Sequence, residues 1–236
     1  MNLIQRLTDA RYPDTGTPVI AFFGDSVTHG AFACIQGDTA GCEFDFDAVY
    51  HNRLRKKLLE VNPWLPVSII NAGVAGDCAR AALNRIERDV IGHHPDICVV
   101  NFALNDINDP LDVYIASLGG VFDRLLGAGI PTVLLTPNML NKYVHPDTIP
   151  MYKEYAAVTA GYQNSGRMDE YVDAARRLAA SKDIPVADAY ARWKALEAEG
   201  KDTTVLLSNY INHPTRDMHA VFADVLFEVL RQDITV

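Results

Sequence analysis

Cysteine is scarce: four in 236 residues, at 34, 42, 78 and 98, with no C-x-x-C pair and no zinc-type spacing. That argues against a small disulfide-stapled fold and against a thiolate metal module. The start, Met1-Asn2-Leu3-Ile4-Gln5-Arg6, lacks a basic segment followed by an apolar one, so no secretory leader is read and the cytoplasm is the expected compartment. Free thiols are expected there, with Cys98 in the core and Cys34 and Cys42 flanking a loop, able to pair only under oxidising conditions. No apolar run approaches the length that spans a membrane. Basic charge is also short, 21 Lys and Arg against 30 Asp and Glu for a net charge of -9. The longest basic group (Arg53, Arg55, Lys56, Lys57) reads as a solvated helix face. Nucleic acid and anionic membranes are therefore poor candidates as partners.

What is present is an ordinary globular composition, 49% hydrophobic, and enough length for a sizeable core in one domain spanning residues 1–236. After a polar lead-in over residues 1–17, the run Val19 to Phe23 reads as a short buried strand that stops at Gly24-Asp25-Ser26. Four more apolar runs follow, at 67–70, 97–100, 131–135 and 184–187. Helical patterns alternate with them at 45–61, 78–91, 111–127 and 168–181, and a well-buried helix closes the chain at 217–231. Residues 30–44 read as a loop, and 138–165 as irregular with a helical piece near 151–160. Such alternation, without repeats or linkers, predicts a doubly wound parallel sheet of five strands with helices on both faces. The polar clusters after the first three strands then share one edge and line one crevice.

Ser26, at the end of the first strand, is a candidate nucleophile. Acyl transfer by a serine needs a base for its proton and N–H donors for the oxyanion. The Ser26 and Gly76 backbone N–H groups and the Asn105 amide are the candidate donors, and glycine at 76 lets main chain approach a substrate. Of seven histidines, His213 is the candidate base, because it precedes the last helix, is held by Pro214 and is free to reach Ser26. His93 and His94 end a helix, His51 and His219 lie on helices as packing residues, His29 is too near Ser26 in sequence, and His145 borders the irregular segment.

The stretches Gly24-Asp25-Ser26, Asn71-Ala72-Gly73-Val74-Ala75-Gly76-Asp77, Ala103-Leu104-Asn105-Asp106 and Asn212-His213-Pro214 resemble, in order, the four blocks of the SGNH (GDSL-type) hydrolases. The resemblance covers residues 19–230. It implies a three-layer α/β/α sandwich of flavodoxin-like type, with Ser26 as nucleophile, Ser26, Gly76 and Asn105 as the oxyanion hole, and His213 as base. It implies an esterase, lipase, thioesterase or deacetylase reaction through an acyl-enzyme, with no cofactor and no metal.

Two departures stand out. Ala103 replaces the glycine usual in the third block, and Tyr210 stands where the family usually has an aspartate three residues before the histidine. The Asn209 side-chain carbonyl, or a backbone carbonyl, is left to orient the His213 ring. Asn209→Ala is then expected to cost far less activity than His213→Ala. Asp25 and Asp106 are read as holding turns and Asp77 as a helix cap. Asn138, Asn141, Lys142, Tyr143, His145, Tyr152 and Tyr155 offer polar and aromatic groups suited to a sugar, which favours a small acyl ester, acetyl foremost, on a polar or carbohydrate alcohol.

Three rivals are weighed. A dinucleotide site lacks the first glycine of its fingerprint, and no Walker A sequence occurs. An α/β-hydrolase elbow lacks its second glycine. A non-catalytic binding protein on the same scaffold stays open because the usual acid is missing.

Overall fold

The computed structural model describes residues 16–37, 41–61, 63 and 66–232. Residues 1–15 of the lead-in lie outside the described residues. Strand β1 (Val19–Gly24) pairs in parallel with β4 (Ser68–Gly73) on one side and β5 (Ile97–Asn101) on the other; β6 (Thr132–Leu135) and β7 (Val186–Ala187) complete the order β4-β1-β5-β6-β7, all parallel. The predicted five-stranded α/β sheet is therefore the observed one.

Side chains alternate across a strand, so β1 needs apolar residues on both faces to sit inside two helical layers. Phe22 meets Tyr50 at 5.7 Å on one face, and Phe23 meets Phe102 at 5.3 Å on the other. Tyr50 opens α2 (Tyr50–Val61), which packs with the terminal helix α9 (His219–Gln232) through Phe222. The opposite layer includes α5 (Leu111–Gly127) and α7 (Arg167–Ser181), with α6 (Lys153–Asn164) packed on α7. Helix α8 (Ala189–Ala198) contributes the fully buried Trp193 and contacts α9.

Two expectations are corrected. Residues 30–44 are not simply a loop: Ala31–Ile35 (β2) and Gly41–Phe44 (β3) form an antiparallel pair with Cys34 opposite Cys42. The small residues Ala31, Ala33 and Cys34 obscured the strand, since they carry little hydrophobic alternation. The helix expected over 78–91 is two short turns, α3 (Ala79–Ala82) and α4 (Ile86–Asp89), and the break falls at Arg85 with φ -121° and ψ -6°.

Parallel strands put their carboxyl ends at one edge. Ser26 follows β1, Gly76 follows β4 and Asn105 follows β5, and these are three adjacent strands. Close approach there depends on glycine. A Cβ on Gly24 would strike Thr28 Oγ1 and the Asn101 carbonyl, and one on Gly73 would strike the His29 backbone N. The turn bearing Ser26 is seated directly on the end of β4.

Candidate active site

Ser26 is the first residue of a single helical turn, α1 (Ser26–His29). Asp25 caps it, its Oδ1 accepting the Val27 N–H at 3.0 Å, and Gly30 closes it at φ 100°. As the first residue of a helix, Ser26 has a backbone N–H with no intrahelical acceptor, and among the described residues no other accepts it. The side chain is held from the far side of the crevice. Ser26 Oγ lies 2.9 Å from His213 Nε2, and the two residues are only 4% and 5% exposed.

His213 Nδ1 lies 2.7 Å from the Phe32 carbonyl on β2, so Nδ1 carries the proton and Nε2 faces Ser26 with its lone pair. Burial pushes the imidazole down to about 4 from its ordinary 6.5, against a smaller upward pull from that carbonyl. A neutral ring with a free Nε2 can accept a hydroxyl proton. A main-chain dipole, not a carboxylate, fixes its tautomer.

Asn209 is not the ring's partner, contrary to the side-chain alternative read from sequence. Its Oδ1 accepts the backbone N–H groups of Ile211, Asn212 and His213 at 3.0, 3.0 and 2.9 Å, which leaves it nothing for the imidazole. Its Nδ2 donates to Asn212 Oδ1 at 2.9 Å and to Cys34 Sγ at 3.7 Å. Asn209 therefore shapes the loop, with Ser208 N–H donating to the His213 carbonyl at 2.7 Å. This tight turn also holds Tyr210 at φ 58°.

On the other side, Gly76 has φ 80°, a value glycine adopts freely, and its N–H has no acceptor among the described residues. An Asn amide carries two N–H bonds. Asn105 Nδ2 spends one on the Asp77 carbonyl at 2.8 Å, leaving one for a ligand. Asp106 Oδ1 accepts the Ala79 N–H at 2.8 Å, so it is Asp106, not Asp77, that holds the start of α3. Asp77 instead receives its own neighbour, Cys78 N–H, at 2.9 Å and pairs with Arg85. Burial, aided by repulsion from neighbouring carboxylates (Asp106 and Asp77 on Asp25, Asp109 and Asp77 on Asp106), pushes Asp25 and Asp106 each up to about 7.

The polar segment after β6 divides. Asn138 and Asn141 are fully buried scaffold: Asn138 Nδ2 bridges the Met139 and Asn212 carbonyls, and Asn141 bonds the Tyr143 and Ala156 carbonyls and Thr159. Lys142 pairs with Glu197 and Tyr143 with Asp202. Asn108 joins the Tyr155 hydroxyl, at 3.4 Å, to the Asn105 carbonyl, at 3.0 Å, which brings Tyr155 to the oxyanion side. His145 stacks on Tyr210 at 4.0 Å. A backbone carbonyl was one of the two orienters left open for His213, but that it is Phe32's was not foreseen, nor were Arg85 and His29, whose Nδ1 accepts the Ala75 N–H at 3.2 Å. A main-chain carbonyl has no sequence signal, and Arg85 is one of three arginines, with Arg80 and Arg88, in a short stretch that does not say which of them turns inward.

A parallel sheet with serine, glycine and asparagine at adjacent strand ends and a histidine returning from beyond the sheet defines a class of serine hydrolase. The chain belongs to the GDSL-like Lipase/Acylhydrolase family, whose model matches residues 22–221, and is a carboxylic ester hydrolase. No curated protein matches it significantly. Among solved structures it is similar to the acetylxylan esterase Axe2 from Geobacillus stearothermophilus, with 21% identity over 90% of this chain and 94% of that one and a TM-score of 0.67. It is likewise similar to a lipase/acylhydrolase from Enterococcus faecalis, with 19% identity, the same coverage and a TM-score of 0.66. A two-domain esterase active on acetylated mannans, co-crystallised with mannopentaose, aligns over 99% of this chain and 53% of that one, with 16% identity and a TM-score of 0.68. Identities this low show a shared fold. Among the described residues no helix is long and apolar enough to cross a membrane.

Proposed function

We propose that Ser26 is the nucleophile and His213 the base of an esterase that removes small acyl groups, acetyl foremost, from a polar or carbohydrate alcohol. The observation that carries this reading is the 2.9 Å contact of Ser26 Oγ with a His213 ring held at its other nitrogen by the Phe32 carbonyl. His213 Nε2 takes the hydroxyl proton as Oγ attacks the ester carbonyl. The oxyanion meets the Ser26 and Gly76 N–H groups and the second Asn105 N–H. The protonated ring then gives its proton to the departing alcohol, leaving an acyl-Ser26 ester. Water, deprotonated by the same ring, attacks that ester and frees the acid and Ser26. Because among the described residues no carboxylate bonds the ring, the imidazolium is stabilised less than in a full triad, and a modest turnover is expected. The acetylated xylan and mannan activity of structural neighbours, and the Asn108–Tyr155 pair beside Asn105, support the choice of acyl group and alcohol.

The test is hydrolysis of p-nitrophenyl acetate, butyrate and octanoate and of acetylated xylo-oligosaccharides by wild type, Ser26→Ala and His213→Ala. Acetate preference with losses of about a thousandfold or more in both variants is expected. Octanoate preference would replace the acetyl reading with a lipase-like one. No Ser26-dependent turnover on esters would sink the esterase reading and leave thioesters, or a binding role, to be tried.

A further inference from the structure

We propose that Arg85 is the positioning residue of this site, fixing the turn that bears Gly76 against the turn that bears Ser26 so that the oxyanion donors converge. The inference rests on the esterase reading above and concerns how its donors are held. Arg85 is nearly buried, its side chain 11% exposed, as is the Asp77 carboxylate at 6%. Its guanidinium donates to the Gly24 carbonyl at 3.1 Å, two residues before Ser26, and to the Ala72 carbonyl at 2.6 Å, on the strand that leads to Gly76. It also donates through Nε to Asp77 Oδ2 at 2.7 Å, immediately after Gly76. The Asp77 carbonyl in turn receives Asn105 Nδ2. One side chain thus touches the two strand ends and the turn that carry the proposed backbone donors, and reaches the third donor through a single residue.

The geometry needs a planar fork with several N–H bonds, which lysine cannot supply. Arg85 also lies over the Phe23 ring at 4.5 Å, which fixes the guanidinium plane from the sheet side. The backbone leaves helical values at Arg85, between the two short turns α3 and α4, and a continuous helix is given up there as the side chain turns inward. Asp89, the one other acid on it among the described residues, is 3.2 Å away and touches no donor segment. On the base side, neither Phe32 nor the 208–214 loop receives anything from Arg85 among the described residues.

That separation makes the role testable. Arg85→Lys and Asp77→Asn are compared with wild type for p-nitrophenyl acetate kinetics, inhibition by a small boronic acid that mimics the tetrahedral state, pH profile and thermal unfolding. In whichever variant folds, kcat is expected to fall about tenfold to a hundredfold with KM changed less than about threefold, and boronate affinity to fall in parallel. The acid limb of the profile, which belongs to His213, should stay where it is. Combined with Asn105→Ala, the losses should be markedly less than multiplicative, because both act on one oxyanion. Folded variants with unchanged kcat, or losses that multiply fully with Asn105→Ala, would overturn the positioning role while leaving the esterase standing. A wild type without Ser26-dependent turnover would remove the esterase reading itself, and this inference with it.

Discussion

The two walls of the crevice are built from different materials. The wall bearing the Gly76 and Asn105 donors is held by ionisable side chains: the Arg85–Asp77 ion pair, and the buried acids Asp25 and Asp106 on the N–H groups of Val27 and Ala79. The wall bearing His213 is held by neutral groups, the Phe32 carbonyl, the Asn209 amide and the Ser208 N–H. On this reading the difference follows from the chemistry. The donor wall must hold backbone dipoles rigidly toward a transient anion, and a buried ion pair resists deformation. The base wall must keep an imidazole neutral at rest, and burial among uncharged groups does that.

The sharpest way to break the comparison is at Asn209. Asn209→Ala strips the acceptor from three buried N–H groups, so the loop carrying His213 should lose its shape. A fall in kcat/KM of about a hundredfold is expected, still below the loss in His213→Ala. Asn209→Asp keeps the acceptor and should stay within about tenfold of wild type. A rate gain in Asn209→Asp would instead mean that this side chain orients the ring, because a carboxylate would then stabilise the imidazolium.

The pH profile tests the neutral wall as a whole. As the proposed base, His213 would act only when unprotonated, and burial holds it near 4, so the rate should be lost as pH falls through about 4. At pH 5 most of the plateau rate should remain, whereas an ordinary imidazole would leave roughly a thirtieth of it. Initial rates after a rapid pH change are required. His51, His213 and His219 are all held below 6.5 by burial, so their contribution to stability is lost as pH falls below that value. An acid limb near 6.5 would show that water reaches the ring.

How much of this was legible follows the same division. The Ser26 turn, the Gly76 turn and the Asn105 turn could be read because each follows an apolar run, and parallel pairing alone puts such strand ends on one edge. Helix 111–127 was read at about its observed bounds, and it lies between Pro110 and the breakers Gly129 and Pro131. The base wall was half legible. His213 could be found from its place before the last helix, but its partner is a carbonyl on a strand hidden by small residues, 181 positions away. The segment 138–165 looked like substrate surface because Asn is polar, yet Asn138 and Asn141 are buried and bond main chain. Polarity in a sequence does not say which way a side chain turns.

On the donor wall, Asp106 gives a smaller and opposite pH effect. Its folded-state value, raised to about 7 against 3.8 unfolded, means that its stabilisation is complete below about 3.8 and is lost as pH rises through about 7. Asp106→Asn removes that slope while keeping an oxygen for the Ala79 N–H. A gain in Tm of about 2–4 °C at pH 8, and none at pH 4, is expected. Equal shifts at both pH values would show that the carboxyl is not buried in its charged form.

The smallest effect compares the walls through their backbones, since each holds one residue other than glycine at positive φ: Ala103 at 156° and Tyr210 at 58°. Ala103 stands where glycine is usual in the family, in a region of backbone space that an L-residue occupies at a cost of about 1–3 kcal/mol. Ala103→Gly releases that strain but gives back roughly 0.5–1 kcal/mol of chain entropy and about 0.8 kcal/mol for the buried methyl. The net expectation is a Tm change of no more than about 2 °C, upward. Tyr210→Gly relieves less strain, because 58° lies within the left-handed well that other residues visit, and it also removes the ring stacked on His145. It should lower Tm instead. Opposite signs, read by calorimetry on the two variants, are what the comparison requires; a drop in both would mean that Ala103 is comfortable where it stands and that the donor wall stores no backbone strain.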